Sequence, residues 1–163
     1  MQRKNMWKEY TEIQQKELEE LSVRYKECLD IGKTERECVK LGKKMADTWG
    51  YKNLEDCISE GTTLKAGDKV YADCMGKAFV MFQLGKKPLE EGMNILGAHI
   101  DSPRIDVKQN PLYENEEFAY LDTHYYGGIK KYQWVTLPLA LHGVIVKKDG
   151  TMVNVNIGDK END

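Results

Sequence analysis

The order in which helical and strand patterns follow one another is the feature that most restricts the fold of this chain. Up to about residue 60 the apolar side chains recur at helical spacing, and from Leu64 onward short β-branched and aromatic runs alternate with glycine. Parallel strands need crossover helices, and no helical pattern follows Asn94. The pattern predicts an α/β fold with an incomplete sheet, as expected for the front part of a longer protein.

Two amphipathic helices are indicated by capping boxes at their starts and by glycines at their ends. The capping boxes pair Thr11 with Gln14 and Thr34 with Glu37, and the helix stops are Gly32 and Gly50. A third, short helix is predicted from Asn53 to Ile58, with Asn53 as its N-cap. The apolar stripes of the first two helices are expected to lie in the core. They comprise Leu18, Leu21, Tyr25, Cys28 and Leu29, then Cys38, Leu41, Met45 and Trp49.

The second half of the chain predicts strands and turns. The expected strands lie near Val70 to Ala72, Ala78 to Leu84 and Asn94 to Asp101. The last of these is apolar on both faces and is predicted to be a central strand. Asp149-Gly150, between two β-rich runs, predicts a hairpin with a two-residue turn of positive φ.

Composition narrows the class of protein. The formal net charge is only −3, from 24 basic and 27 acidic residues that are interspersed, so no basic face for nucleic acid is predicted. No apolar stretch reaches the roughly 18 residues that indicate a membrane span. The cysteines (Cys28, Cys38, Cys57 and Cys74) lack the close pairs of a zinc knuckle and are interpreted as reduced, small apolar residues. A cytoplasmic protein is expected.

The candidate chemistry lies at the end of the predicted central strand, where His99 and Asp101 are two residues apart. Residues i and i+2 of a strand share a face, so the two side chains are expected to point the same way. A metal-binding histidine commonly donates its other ring N–H to a carboxylate, and ligands bind beyond the carboxyl ends of strands in open α/β sheets. A structural histidine explains this spacing as well. His124, in a predicted loop, is a possible further ligand, whereas His142 is expected to be an ordinary strand residue.

Two longer stretches carry a family resemblance. They are "GAHIDSPRIDVKQNPLYE" and "THYYGGIKKYQWVTLPLALHGVIVKKDGT". They resemble the aspartyl-aminopeptidase family of co-catalytic zinc aminopeptidases, in a clostridial-type bacterial branch. The resemblance runs from about Asn5 to the end of the chain, and its motifs occur in the family's order.

The resemblance implies a fold, a reaction and two site residues. The fold is the N-terminal part of a phosphorylase/hydrolase-like α/β/α zinc-peptidase domain (residues 1–108), followed by the start of an inserted β-rich dimerisation domain (residues 109–163). His99 corresponds to a zinc ligand, and Asp101 corresponds to the acid that supports catalysis beside the metals. The implied activity is removal of N-terminal amino acids from peptides by zinc-activated water, in a homo-oligomer that is a dodecamer in the family.

The same resemblance implies that the other ligands of a two-zinc site are not within these residues. The family also needs a bridging aspartate, a Glu-Glu pair, a further acidic ligand and a late histidine. The chain alone is therefore expected to be inactive. Two alternatives stay open: a non-catalytic oligomerisation or assembly module derived from such a peptidase, and a small metal-binding domain built from His99, Asp101 and His124. A reading frame that continues past Asp163 with acidic ligands would favour the enzyme over the module.

Overall fold

The computed structural model describes residues 3–160. Its helices are α1 (Glu12–Ile31), α2 (Glu35–Thr48), α3 (Leu54–Ser59) and α4 (Lys131–Trp134), with 3-10 turns at Met6–Lys8 and Leu89–Glu91. Its strands are β1 (Lys52–Asn53), β2 (Lys69–Cys74), β3 (Ala78–Gln83), β4 (Arg104–Asn115), β5 (Phe118–Tyr126), β6 (Leu141–Val146) and β7 (Met152–Ile157). Part of the closing "GDKEND" stretch, residues 161–163, lies outside the described residues. No helix within residues 3–160 has the length and apolarity needed to cross a membrane.

The predicted helix starts are confirmed. Thr11 and Thr34 both form complete capping boxes, in which each threonine side chain accepts from the backbone of the third helical residue and that residue's side chain accepts from the threonine backbone. Asn53 caps α3 by accepting from the Glu55 backbone N–H at 3.1 Å. Local side-chain chemistry therefore places the helix boundaries before any tertiary contact is considered.

The chain forms two compact units, one up to Ala98 and one from His99. In the first unit β2 pairs in parallel with β1 and antiparallel with β3, and α2 packs against β2 and β3. Gly42 of α2 permits a close approach, since a Cβ at this position would lie 3.3 Å from the Phe79 ring. The assignment of residues 1–108 and 109–163 to a catalytic and a dimerisation domain stays a prediction.

The core of the first unit differs from the predicted stripes. The buried residues among those described are Val39, Ala46, Cys57, Val70 and Tyr71. Trp49 is half exposed, and α1 contains no buried residue. The stripe of α1 is therefore not core within residues 3–160: α2 contacts α1, and Leu18 and Cys28 are half-buried, but no described element buries the stripe. Helical periodicity identifies an apolar face, and a partner for that face is a separate condition.

Two antiparallel hairpins, β4–β5 and β6–β7, make up most of the second unit. The β6–β7 hairpin was predicted, but its turn differs in detail. Of Asp149 and Gly150 only Gly150 has a positive φ, +84°, and Lys147 pairs with Thr151 across the turn. The loop is thus the three-residue type that ends in a left-handed glycine.

An ion pair joins α2 to β2 in the first unit. Lys43 Nζ donates to Asp73 Oδ2, and the Gly76 N–H donates to Asp73 Oδ1 at 3.3 Å. The hydrogen bond from Lys43 lowers the pKa of Asp73 below its ordinary value of 3.8. Both side chains keep partial contact with water, which limits the contribution of the pair to stability.

Asp73→Asn is expected to lower the free energy of unfolding by about 1 kcal/mol at neutral pH, because the lysine loses its ionic partner. A lowered carboxyl pKa stabilises the folded state above the unfolded-state pKa, and this contribution disappears as pH falls through the folded-state value. Urea unfolding should therefore show a difference between the two proteins at neutral pH that shrinks as the pH falls from the ordinary carboxyl pKa of 3.8 through the lower folded-state pKa of Asp73. Asp30→Asn, at an 83% exposed side chain, is the matched control. A pH-independent difference would contradict the ionic interpretation.

The total accessible surface is large for the mass of the chain. It amounts to 14609 Å² for 18.8 kDa. A compact monomer of this mass exposes about 8,300 Å², and two separate compact domains of the sizes of the two units expose about 10,000 Å² together. An excess on the order of 4,500 Å² is comparable to the surface that an obligate interface buries.

Candidate metal centre

The segment that carries the predicted site, residues 93–103, contains no strand. The prediction of a central strand from Asn94 to Asp101 is therefore wrong for this chain. A strand exists only when a neighbour satisfies its backbone groups, and none of the described strands pairs with this segment. The large apolar side chains at its start are correspondingly exposed, with Ile95 at 78% and Leu96 at 100%.

His99 and Asp101 nevertheless lie in contact. His99 Nδ1 is 2.8 Å from the Asp101 carbonyl oxygen and 3.2 Å from Asp101 Oδ1. Both neighbours are acceptors, so Nδ1 carries the proton in the neutral ring and Nε2 keeps its lone pair. The His99 side chain is 80% exposed. This is the arrangement of a histidine whose Nε2 is available to a metal and whose tautomer is set by the carbonyl and carboxylate oxygens of one residue, Asp101.

Asp101 uses its second carboxylate oxygen for a different contact. The Tyr126 hydroxyl, at the end of β5, donates to Asp101 Oδ2 at 2.7 Å. This hydrogen bond, together with one from the Asp101 backbone N–H and the nearby His99, lowers the pKa of Asp101 below its ordinary value. Asp101 is therefore an anion at neutral pH.

Tyr126 is itself held by β4. Arg104 pairs with Tyr126 in the β4–β5 register, and its guanidinium carbon lies 4.4 Å from the centre of the Tyr126 ring. Arg104 Nε donates to Asp106 Oδ1 at 2.7 Å. Sequence reasoning missed Tyr126 and Arg104, and the only available signal was that Tyr126 precedes the Gly127-Gly128 pair.

The other two histidines are not brought to this site. His124 lies on β5 opposite Asp106, so its assignment to a loop was wrong; its side chain contacts the Tyr125 carbonyl oxygen at 3.3 Å. His142 lies on β6, as predicted, and its Nε2 is 3.1 Å from Asp159 Oδ2. Within residues 3–160 no three histidine, cysteine or acidic side chains come together to hold a metal ion. The structure thus does not bring His124 to His99 and Asp101, as the hypothesis of a small metal domain built from these three residues requires.

His99 and its partner Asp101 offer donor atoms of the type that zinc binds, but they are too few to form a complete zinc site. A neutral imidazole oriented by a carboxylate is a common zinc ligand. Structural zinc sites use four protein ligands, and catalytic ones use three and a water. Among the described residues, His99 with its partner Asp101 fits one position of such a site.

Comparison with known proteins decides the family. The family profile described as "Aminopeptidase I zinc metalloprotease (M18)" matches residues 28–163. The chain belongs to the M18 peptidase family. The predicted resemblance to zinc aminopeptidases and the α/β fold class are thereby confirmed.

M18 relatives match nearly the whole chain. A probable M18 family aminopeptidase 1 from Clostridium acetobutylicum is 61% identical over 160 residues, which are 98% of this chain and 34% of the relative. A probable M18 family aminopeptidase 1 from Thermotoga maritima is 44% identical over 163 residues, which are 100% of this chain and 34% of that relative. The structure of aminopeptidase I from Borrelia burgdorferi B31 superposes with a TM-score of 0.90 at 40% identity, covering 98% of this chain and 39% of that one. The chain thus spans about a third of the length of these M18 proteins.

Proposed function

We propose that this chain contributes the first zinc ligand of a metallo-aminopeptidase that removes N-terminal amino acids from peptides. The observation that supports this is the His99–Asp101 pair: an exposed imidazole whose Nδ1 is held at 2.8 Å and 3.2 Å by Asp101, in a member of a zinc metalloprotease family. His99 is the metal ligand in this proposal. Asp101 holds the ring and presents a negative charge beside it.

The separate roles of His99 and Asp101 follow from the contacts between them. The Nδ1–H of His99 donates a hydrogen bond to the Asp101 carbonyl oxygen, so His99 stays in the tautomer that leaves the Nε2 lone pair for zinc. Zinc, when bound, lowers the pKa of its water and polarises the substrate carbonyl. His99 and Asp101 provide no general base for that water in this proposal, and we assign the base and the other ligands of a two-zinc site to the rest of the M18 protein.

The surface of the chain supports the need for such a remainder. The excess of exposed area and the full exposure of Leu96 suit a polypeptide that is covered by further structure. We infer that the whole protein covers the 93–103 segment with neighbouring strands. We also propose that the whole protein is a homo-oligomer, a dodecamer by family resemblance, which its native mass would test.

A cytoplasmic location is part of the proposal. All four cysteines are free thiols in the structure, and Cys57 is buried. Burial raises the pKa of the Cys38 thiol, which makes it less reactive. Free thiols suit a reducing compartment. Cell fractionation with an antibody against this chain would test the assignment.

A chimaera tests the proposed activity. In the Clostridium acetobutylicum relative, the segment aligned with this chain would be replaced by residues 1–163, and zinc content and hydrolysis of leucyl and aspartyl anilides would be measured. We expect zinc-dependent hydrolysis that a chelator abolishes and added zinc restores, because His99 and Asp101 complete the site. The unmodified relative is the control. A folded chimaera without zinc or hydrolysis would contradict the proposal and favour the non-catalytic assembly module.

A further inference from the structure

The orientation of the Asp101 carboxylate depends on a contact from another part of the second unit. Asp101 lies in a segment without regular secondary structure, so no backbone ladder restricts its side chain. One carboxylate oxygen is 3.2 Å from His99 Nδ1, and the other accepts the Tyr126 hydroxyl at 2.7 Å. A carboxylate held at both oxygens has one orientation, whereas one held only by the exposed His99 ring can rotate.

Tyr126 is itself held in place by other residues, so it can fix the position of the Asp101 carboxylate. It is the last residue of β5 and pairs with Arg104, the first residue of β4, and the Arg104 guanidinium covers its ring. Gly127 follows with φ +71°, and a Cβ at this position would lie 3.4 Å from Pro103. Since Pro103 is two residues after Asp101, this close approach keeps the end of β5 beside the site segment.

We propose that Tyr126 is a positioning residue for the metal centre, which acts through Asp101 on His99. The inference rests on the proposed function, because it assigns His99 to zinc. In this arrangement the Tyr126 hydroxyl fixes Oδ2 of Asp101, so that Oδ1 remains directed at His99 Nδ1. The carboxylate then adds to the contact between His99 Nδ1 and the Asp101 carbonyl oxygen, at 2.8 Å, and the two together hold the imidazole in one orientation before the metal binds.

Tyr126→Phe removes only the hydroxyl and keeps the ring beneath Arg104. In the chimaera we expect zinc affinity, measured by chelator competition, or kcat/KM to fall about 10–100-fold, the range for loss of a partner that orients a metal ligand. The loss should appear in kcat, with KM changed by no more than about twofold, because Tyr126 does not contact substrate in this proposal. Tyr125→Phe removes the hydroxyl of the neighbouring residue, which lies beside Lys131, and is expected to match the parent.

A second measurement needs neither zinc nor activity. In the 163-residue chain at neutral pH, the ¹³C resonance of the Asp101 carboxylate reports its hydrogen bonds, and we expect Tyr126→Phe to shift it while Tyr125→Phe leaves it in place. An unchanged resonance in Tyr126→Phe would overturn the inference whatever the chimaera does. Zinc affinity and kcat equal to those of the Tyr125→Phe chimaera would also overturn it, with the proposed function intact. An inactive, zinc-free parent chimaera together with a shifted resonance would support the contact and reject the function.

Discussion

The 163-residue chain alone is expected to release no amino acid from leucyl or aspartyl anilides in the presence of zinc or cobalt. Co-production with the remaining two thirds of the Clostridium acetobutylicum relative is expected to yield a complex that hydrolyses them. Residues 3–160 bring together no three metal-binding side chains, so the described part of the chain cannot hold a catalytic zinc with the usual three protein ligands. Its excess of exposed surface is of the size that an obligate interface buries, which makes association of the two parts energetically reasonable.

The measurements are the rate of anilide hydrolysis, the mass of the complex and its zinc content. The covalent chimaera gives the reference rate, and the remaining two thirds produced alone gives the background, because it lacks His99. Robust turnover by the pure 163-residue chain would refute the assignment of a partial site. A stable complex that carries zinc and has no turnover would instead favour an assembly role for the chain.

His99→Ala in the chimaera is expected to have the largest effect of any single substitution in this chain. It removes a metal ligand, so the loss in kcat/KM should exceed the about 100-fold upper range for loss of a group that merely orients a ligand. Metal analysis should show one zinc equivalent lost per subunit. The reason is that the His99–Asp101 contact occupies Nδ1 of an exposed side chain and leaves Nε2 as the metal-binding atom.

His124→Ala is the matched control for that experiment. His124 lies on β5 in the same unit, and its Nδ1 is 3.3 Å from the backbone carbonyl oxygen of Tyr125. It is expected to keep the zinc content and rate of the parent. If His99→Ala retains zinc and activity while the protein remains folded, His99 is a structural histidine, which is the alternative that the His-x-Asp spacing alone also allowed.

The boundaries of the helices and the β6–β7 hairpin could be read from the sequence because they depend on local chemistry. Thr11 and Thr34 satisfy backbone groups within three residues of themselves, and Gly150 provides the left-handed backbone that its turn needs. The contact between His99 and Asp101 is equally local. It forms although the predicted strand does not, since two residues of separation keep the side chains within reach.

Only the tertiary structure decided which of the apolar segments are buried or paired with another element. The apolar run at residues 94–98 and the stripe of α1 have the composition of core elements, yet within residues 3–160 no strand pairs with the first and no element buries the second. The contact between Tyr126 and Asp101 spans 25 positions and depends on the β4–β5 register that places Tyr126 opposite Arg104. Sequence periodicity states what a segment can bury or pair, whereas burial and pairing also require a second surface, which another part of the polypeptide must supply.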